Sequence, residues 1–292
     1  MGLFLRRKDD GPLPEPTAAM SAMCRLIEQL EPDSRRLFDD PLLEGLLGDY
    51  ARYRMMDPWG GASVIGRIEG TAPGYYGLLV SRTCFIDDVL RDALERGTTQ
   101  VAIIGAGFDT RAHRIPGIEH AHVFELDLPH MIEYKRDAVA STLGSLPEHV
   151  TYASIDLESL EAAHALTDAG VDPAEPTMVI CEDVTQYLSD IALERLLTSV
   201  SSLGLGTDLV LTYVLKSTVR SHDGLAQAKG LVHGGPPWRL GLYPAEAARL
   251  LAEHGLTLIT DISADEYRRR YPQLARRKVK VSPEEHTVVA SA

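Results

Sequence analysis

Cysteine is scarce in this 292-residue chain. Cys24, Cys84 and Cys181 are far apart and odd in number. No CxxC pair or Cys/His cluster occurs, so neither a zinc site nor a disulfide framework is suggested. Reduced thiols in a cytoplasmic protein fit that usage. Positive charge is also in deficit: 29 Lys and Arg stand against 42 Asp and Glu, a formal charge of −13. That balance argues against nucleic acid, which needs a basic stripe, and against an anionic membrane surface. Many soluble cytoplasmic proteins are acidic, which accounts for most of the excess. Long apolar runs are missing too, and none approaches membrane-spanning length. The start, MGLFLRRKDDG, is too short in apolar residues for a signal peptide. Arg6 stands where myristoylation wants Ser or Thr.

What is present is enough apolar sequence, 45%, for a sizeable core. Residues 1–16 end in the proline-rich GPLPEP and read as a flexible lead-in. Residues 17–292 read as a single domain. A helical cover over 17–80 is divided by Pro32 and Pro41, and its stretch 57–74 is glycine-rich, a loop or short helix. RTCFIDDVLRDALERG then keeps helical spacing through Ile86, Val89, Leu90 and Leu94, and Gly97 stops it. After it the period changes. Strands are predicted at 100–106, 121–126, 150–155, 177–182 and 207–214, with helices near 110–115, 129–142, 158–168 and 189–203. The alternation implies a parallel sheet covered on both faces. The core spans 81–215. An insertion at 216–245 precedes the helix YPAEAARLLAEHG, a sixth strand LTLITDI and a short last strand HTVVA.

Four of the strands end on an acid: Asp109, Asp127, Asp156 and Glu182. In an open α/β sheet those ends line one crevice, where ligands bind. Carboxylates there disfavour a pyrophosphate and suit a cation that donates hydrogen bonds. S-adenosylmethionine fits, with its sulfonium, ammonium, ribose hydroxyls and adenine amine.

Each residue also has a plainer role open to it. Gly105 and Gly107, flanking Ala106, let backbone approach a ligand, but G-x-G alone is weak. Thr110 occupies the third glycine of the dinucleotide fingerprint. Asp109 or Thr110 could simply cap the next helix. Glu125 and Asp127 end the second strand, where a carboxylate can accept both ribose hydroxyls; Asp127 could instead cap the helix that begins at Pro129. Asp156 can accept the adenine amine while Leu157 offers a backbone N–H, or Asp156 caps the following helix. Glu182 suits a ligand ammonium, or an ion pair with an arginine. Arg82 can hold a carboxylate bidentately, though a lone arginine is more often solvated.

The strings LVSRTCFIDDVLRDAL, QVAIIGAGFDTRAHRI, VFELDLPHMIEYKR and ICEDVTQYL together resemble the leucine carboxyl methyltransferase superfamily. That group includes eukaryotic phosphatase methyltransferases and bacterial tetracenomycin-type polyketide O-methyltransferases. The resemblance covers about residues 75–215, with a similar ending up to 290. It implies a class I, Rossmann-like methyltransferase sheet of seven strands, the last antiparallel. It also implies that Arg82 binds the methionine carboxylate, and that Gly105–Gly107 lies against the methionine part. Asp127 would hold the ribose, Asp156 and Leu157 the adenine, and Glu182 the ammonium. Asp183 departs from the pattern, which often has Gly or Ala there.

Methyl transfer from a sulfonium mainly requires alignment. A carboxylate acceptor needs no base; a phenol or alcohol benefits from one. Tyr75, Tyr76, Arg111, His113, Gln186, Tyr187 and Tyr213 are candidates to face the pocket, although a solvated face suits His113 and core packing suits Tyr213. His222 and His233 flank the insertion as candidate bases. Residues 59–61 and 234–238 read as lid segments or ordinary turns. The expected function is O-methylation of a carboxylate or hydroxyl on a small molecule, such as a polyketide in secondary metabolism, leaving S-adenosylhomocysteine. An NAD-linked oxidoreductase and a non-catalytic cofactor-binding module are the alternatives.

Overall fold

The computed structural model describes residues 16–48, 60–159, 164–221 and 238–292. The helices among them are α1 (Pro16–Glu28), α2 (Leu43–Leu47), α3 (Gly60–Thr71), α4 (Tyr75–Glu95), α5 (Arg111–Arg114) and α6 (Pro129–Leu143). They continue with α7 (Ala165–Asp168), α8 (Asp190–Ser201), α9 (Lys216–Arg220), α10 (Pro244–Glu253), α11 (Ala264–Arg270) and α12 (Pro272–Arg276). The strands are β1 (Gln100–Ile104), β2 (His122–Asp127), β3 (Val150–Ser154), β4 (Thr177–Cys181), β5 (Thr207–Val214), β6 (Thr257–Ile262) and β7 (Glu285–Ser291).

The seven strands form one sheet in the order β3-β2-β1-β4-β5-β7-β6. The first five run parallel, and β7 is antiparallel to both β5 and β6. Side chains alternate across the sheet, as a strand requires. Val101 and Ile103 enter one core, while Ala102 and Ile104 enter the other. The first core is covered by α1, α3, α4, α11 and α12, and the second by α8 and α10. The chain winds outward through β2 and β3, then returns to place β4 beside β1. That reversal opens a crevice at the carboxyl ends of β1 and β4. A third apolar cluster, built from α1, α2, α6 and Phe108, seats the N-terminal cover over the crevice.

Several expectations change. The glycine-rich 57–74 stretch contains the twelve-residue helix α3. Ile68 and Ala72 are buried against α4, whereas Gly66 and Gly70 border open space. Apolar burial outweighs the poor helix propensity of glycine there. Helix α4 begins at Tyr75, ahead of the expected Arg82, and runs 21 residues. Of the expected helix 158–168, only Ala165–Asp168 is helical; 160–163 lie outside the described residues. Helices α11 and α12 were not anticipated. The lead-in through residue 15, and the lid stretches at Trp59 and 234–237, lie outside the described residues. Among the described residues no helix is long and apolar enough to cross a membrane.

Candidate functional site

Strand β1 ends at Ile104, and the chain turns through Gly105-Ala106-Gly107 before α5. Gly105 (φ +69°) and Gly107 (φ +33°) both adopt left-handed backbone. A Cβ on Gly105 would lie 2.3 Å from Val184 Cγ2. The turn hangs on the end of β2: Gly105 N and Ala106 N donate to Leu126 O at 2.8 and 3.1 Å. Gly107 N donates to Asp127 Oδ2 at 2.7 Å. From beneath, Lys135 Nζ donates to Asp109 O at 2.6 Å and Ala106 O at 3.2 Å. Arg25 Nη2 reaches Phe108 O at 2.7 Å.

A cavity of about 590 Å³ opens above these strand ends. Its wall includes Arg82, Gly105–Asp109, Asp127, Asp156, Leu157, Glu182, Asp183 and Tyr187. The four strand-end acids therefore do share one crevice. Two of them are already neutralised. Glu182 accepts from Arg82 Nε at 2.7 Å and Arg111 Nη1 at 2.6 Å. Asp109 accepts from Arg111 N and Nη1 at 2.7 and 2.6 Å. The ion-pair alternative is thus what Glu182 adopts here.

The network extends into the core. Arg111 Nε also donates to Asp87 at 2.7 Å, and Arg114 Nη1 to Asp87 at 2.6 Å. Arg82 Nη1 donates to Glu285 on β7 at 2.7 Å, and its Nη2 lies 3.5 Å from Asp183 Oδ2. Arg25 and Arg114 approach Asp40 at 3.5 and 3.7 Å. Six carboxylates (Asp40, Asp87, Asp109, Glu182, Asp183, Glu285) thus meet five guanidiniums, those of Arg25, Arg82, Arg91, Arg111 and Arg114, leaving one more acid than base. Burial pushes the Asp183 and Glu285 carboxyls up despite Arg82.

Burial would raise Glu182 as well, but Arg111 and Arg82 outweigh it and hold its carboxyl at about 2 against an ordinary 4.5. A depressed carboxylate contributes stability above its unfolded value, which is lost as pH falls through the folded one. Stability is therefore expected to drop between pH 4.5 and 2. Glu182→Gln should flatten that limb in acid-unfolding curves.

Other placements follow. Asp127 is not the cap of α6; its oxygens accept from Gly107 N and Leu128 N, each at 2.7 Å. Asp156 is exposed, and its Oδ1 accepts from Glu158 N at 2.9 Å in a local turn, with Leu157 buried beside it. Thr110 does not reach the cavity: it donates to Asp40 at 2.7 Å and accepts from Arg114 Nε at 2.8 Å. Nor does it cap α5 with its side chain. Glu125 is a further correction. It lies below the rim, fully buried, with Lys135 Nζ at 3.1 Å, and burial pushes it up to about 7. The two acids share one face of β2, and Asp127, at the strand's last residue, reaches the rim while Glu125 lies one pleat repeat deeper.

Gln186 is buried off the wall and donates its amide to Asp183 Oδ1. Tyr187 is on the wall, with Trp238 Nε1 at 3.4 Å from its hydroxyl. His222 and His233 lie outside the described residues. Arg111 stands behind the wall and acts through Asp109 and Glu182. Tyr75 is partly buried off the wall, and its hydroxyl is pushed up by burial and by Asp183. Tyr76 faces away, toward Glu28 and Arg277. Tyr213 is in the core, donating to Asp261 at 2.8 Å. His113 is not solvated: its side chain is 1% exposed, and burial lowers it to about 4.

Asp87, Lys135 and Glu285 were missed. Each lies inside an amphipathic helix or strand, where a charge reads as surface until the fold turns it inward. Among the described residues no group of His, Cys, Asp or Glu is arranged to hold a metal.

Comparison with known proteins agrees with this arrangement. A family profile described as leucine carboxyl methyltransferase matches residues 18–201. A relative from Mycolicibacterium smegmatis, named for S-adenosyl-L-methionine-dependent methyl transfer, is 42% identical over 126 residues, 43% of this chain. A like-named relative from Parafrankia is 35% identical over 192 residues, 64% of this chain. The chain covers 41% and 58% of these two relatives' lengths. A crystal structure from Thermobifida fusca superposes with TM-score 0.57 at 14% identity, covering 86% of this chain and 92% of its own. A DUF574 family protein from Streptomyces avermitilis gives 0.55 at 15% identity, covering 91% and 99%. These two likenesses concern the fold. On the sequence match, this chain belongs to the leucine carboxyl methyltransferase family.

Proposed function

We propose that the chain is an O-methyltransferase acting on a carboxylate or hydroxyl of a small molecule, such as a polyketide of secondary metabolism. Family membership removes the NAD-linked alternative. The observation that carries the reading is the cavity itself: a glycine turn, a rim carboxylate on β2 and excess negative charge in one crevice. The residues fit the donor. Gly105–Gly107 leaves room where a Cβ would intrude. Arg82 Nη2 is buried without a hydrogen-bond partner and suits a carboxylate. Glu182 and Asp183 suit an ammonium, Asp127 the ribose hydroxyls, and Leu157 with Asp156 the adenine. Bound there, S-adenosylmethionine supplies an electrophilic methyl group. The protein's part is alignment and exclusion of water.

The acidic surface favours a small-molecule partner over nucleic acid or membrane, and a cytoplasmic setting suits the buried thiols. Calorimetric titration with S-adenosylhomocysteine tests the cofactor, and labelled donor with a metabolite extract tests transfer. Binding without transfer would favour the non-catalytic module. Asp127→Ala is expected to weaken S-adenosylhomocysteine binding by about 1–3 kcal/mol, the cost of a lost charged hydrogen bond. Unchanged affinity would remove Asp127 from the ribose role.

A further inference from the structure

A second cavity, of about 410 Å³, opens between the end of α1, α3 and the segment from α12 to β7. That volume falls within the roughly 300–1,000 Å³ of small-molecule clefts. The cavity shares no wall residue with the donor crevice. Helical spacing puts Ile27, on its wall, on the side of α1 opposite Ala18, Ser21 and Arg25, which line the crevice. The walls divide by chemistry. Ile27, Leu30, Ile65 and Val279 are apolar, and Leu30 is 61% exposed. Arg35, Arg277, Lys278 and Lys280 are cationic. We propose that this cavity binds a small amphipathic carboxylate, its chain on the apolar wall and its carboxylate on Lys278 and Lys280. The site is independent of the methyl-transfer reading.

Charge is the first reason. The chain as a whole carries −13, yet here the four cations stand against three acids, Glu28, Glu31 and Glu69. All three acids are engaged. Glu28 accepts from Arg277 Nη1 and Nη2 at 2.7 and 2.9 Å. Glu31 lies 3.2 Å from Arg35 and 3.5 Å from Arg277, and Glu69 accepts from Gly74 N at 2.9 Å. Lys278 and Lys280 are exposed and pair with no acid among the described residues. Arg277 adds an unused donor on the same wall: its side chain is 4% exposed, and its Nε is buried without a hydrogen-bond partner. The second reason is the place of Lys278. The turn that ends α12 has the paired bonds of a Schellman motif, Lys278 N to Ala275 O at 3.1 Å and Val279 N to Leu274 O at 2.9 Å. The left-handed position of that motif is usually glycine, and here it is Lys278, at φ +56°. A glycine would hold the turn without that strain. What the lysine adds is an ammonium on the cavity wall, and backbone strain of this kind concentrates at functional positions. The apolar wall completes the match, because a hydrocarbon chain would cover Leu30.

The test is calorimetry on the full chain with octanoate, with and without saturating S-adenosylhomocysteine. Octanoate is expected to bind in both cases. Octanol, which lacks the charge, and acetate, which lacks the chain, should each bind about tenfold or more weakly. Lys278→Gly separates binding from folding. It relieves the left-handed strain, so thermal stability should be kept or raised, while octanoate affinity falls about tenfold. Lys280→Ala should lower octanoate affinity in the same way, and S-adenosylhomocysteine affinity should be unchanged in both variants. Absence of octanoate binding overturns the site, as does octanol binding as tightly as octanoate. Unchanged octanoate affinity in both variants overturns it too, as does displacement of octanoate by S-adenosylhomocysteine. Failure of the chain to bind S-adenosylhomocysteine would instead strike the methyltransferase reading and leave this site standing.

Discussion

Replacing Arg111 with leucine is expected to destabilise the protein by about 3–5 kcal/mol, the range for breaking a buried ion pair from one side. Arg111 is 1% exposed and contacts three carboxylates, Asp87, Asp109 and Glu182, at 2.6–2.7 Å. Removing it leaves those charges without their shared partner. The effect should exceed that of deleting any one acid, because Arg111 then keeps two carboxylate partners. Urea denaturation of Arg111→Leu against Asp87→Asn measures the difference. Comparable losses would mean that Arg114 takes over Asp87 and the network is redundant. Acid titration adds a check: without Arg111, Glu182 should take up its proton at higher pH, so the acid limb moves upward.

The second large effect is expected at Gly105. Gly105→Ala forces a side chain into backbone at φ +69° and sets its Cβ 2.3 Å from Val184. Left-handed backbone costs roughly 1–2 kcal/mol for a residue with a Cβ, and overpacking adds about 1–3 kcal/mol. The turn between β1 and α5 would have to move, carrying Gly107 N away from Asp127. S-adenosylhomocysteine affinity should fall more than tenfold. Val184→Ala in the same chain should recover the packing part and not the backbone part, so a double-mutant cycle separates them. Full recovery in the double variant would show that the φ angle carries no cost.

The strands were the legible part of this molecule. Val101–Ile104 and Met178–Cys181 are continuous apolar runs because both faces of the sheet are covered. The boundaries read from sequence agree with the structure to within two residues for each of them. Antiparallel β7 was expected from the family resemblance, and the pairing has it. Helices were legible where an apolar stripe was continuous, as in α8. They were obscured where glycines interrupt, as in α3, or where charge dominates, as in α11 (ADEYRRR). In the site, strand-end position was informative for Asp127 and misleading for Glu125, one pleat away. The acids were read as a cradle for a cation. Sequence could not show that Arg82 and Arg111 already occupy two of them, because those partners arrive from α4 and α5 through long-range packing.

The position of β7 bears on how the protein is made. It leaves the ribosome after the other six strands, yet it lies between β5 and β6 and supplies Glu285 to Arg82. Nascent chains that stop short of it would hold β6 without a neighbour and Arg82 with one carboxylate fewer. Such stalled intermediates should be protease-sensitive and unable to retain the methyl donor, so assembly of the sheet is completed only after translation has passed residue 291.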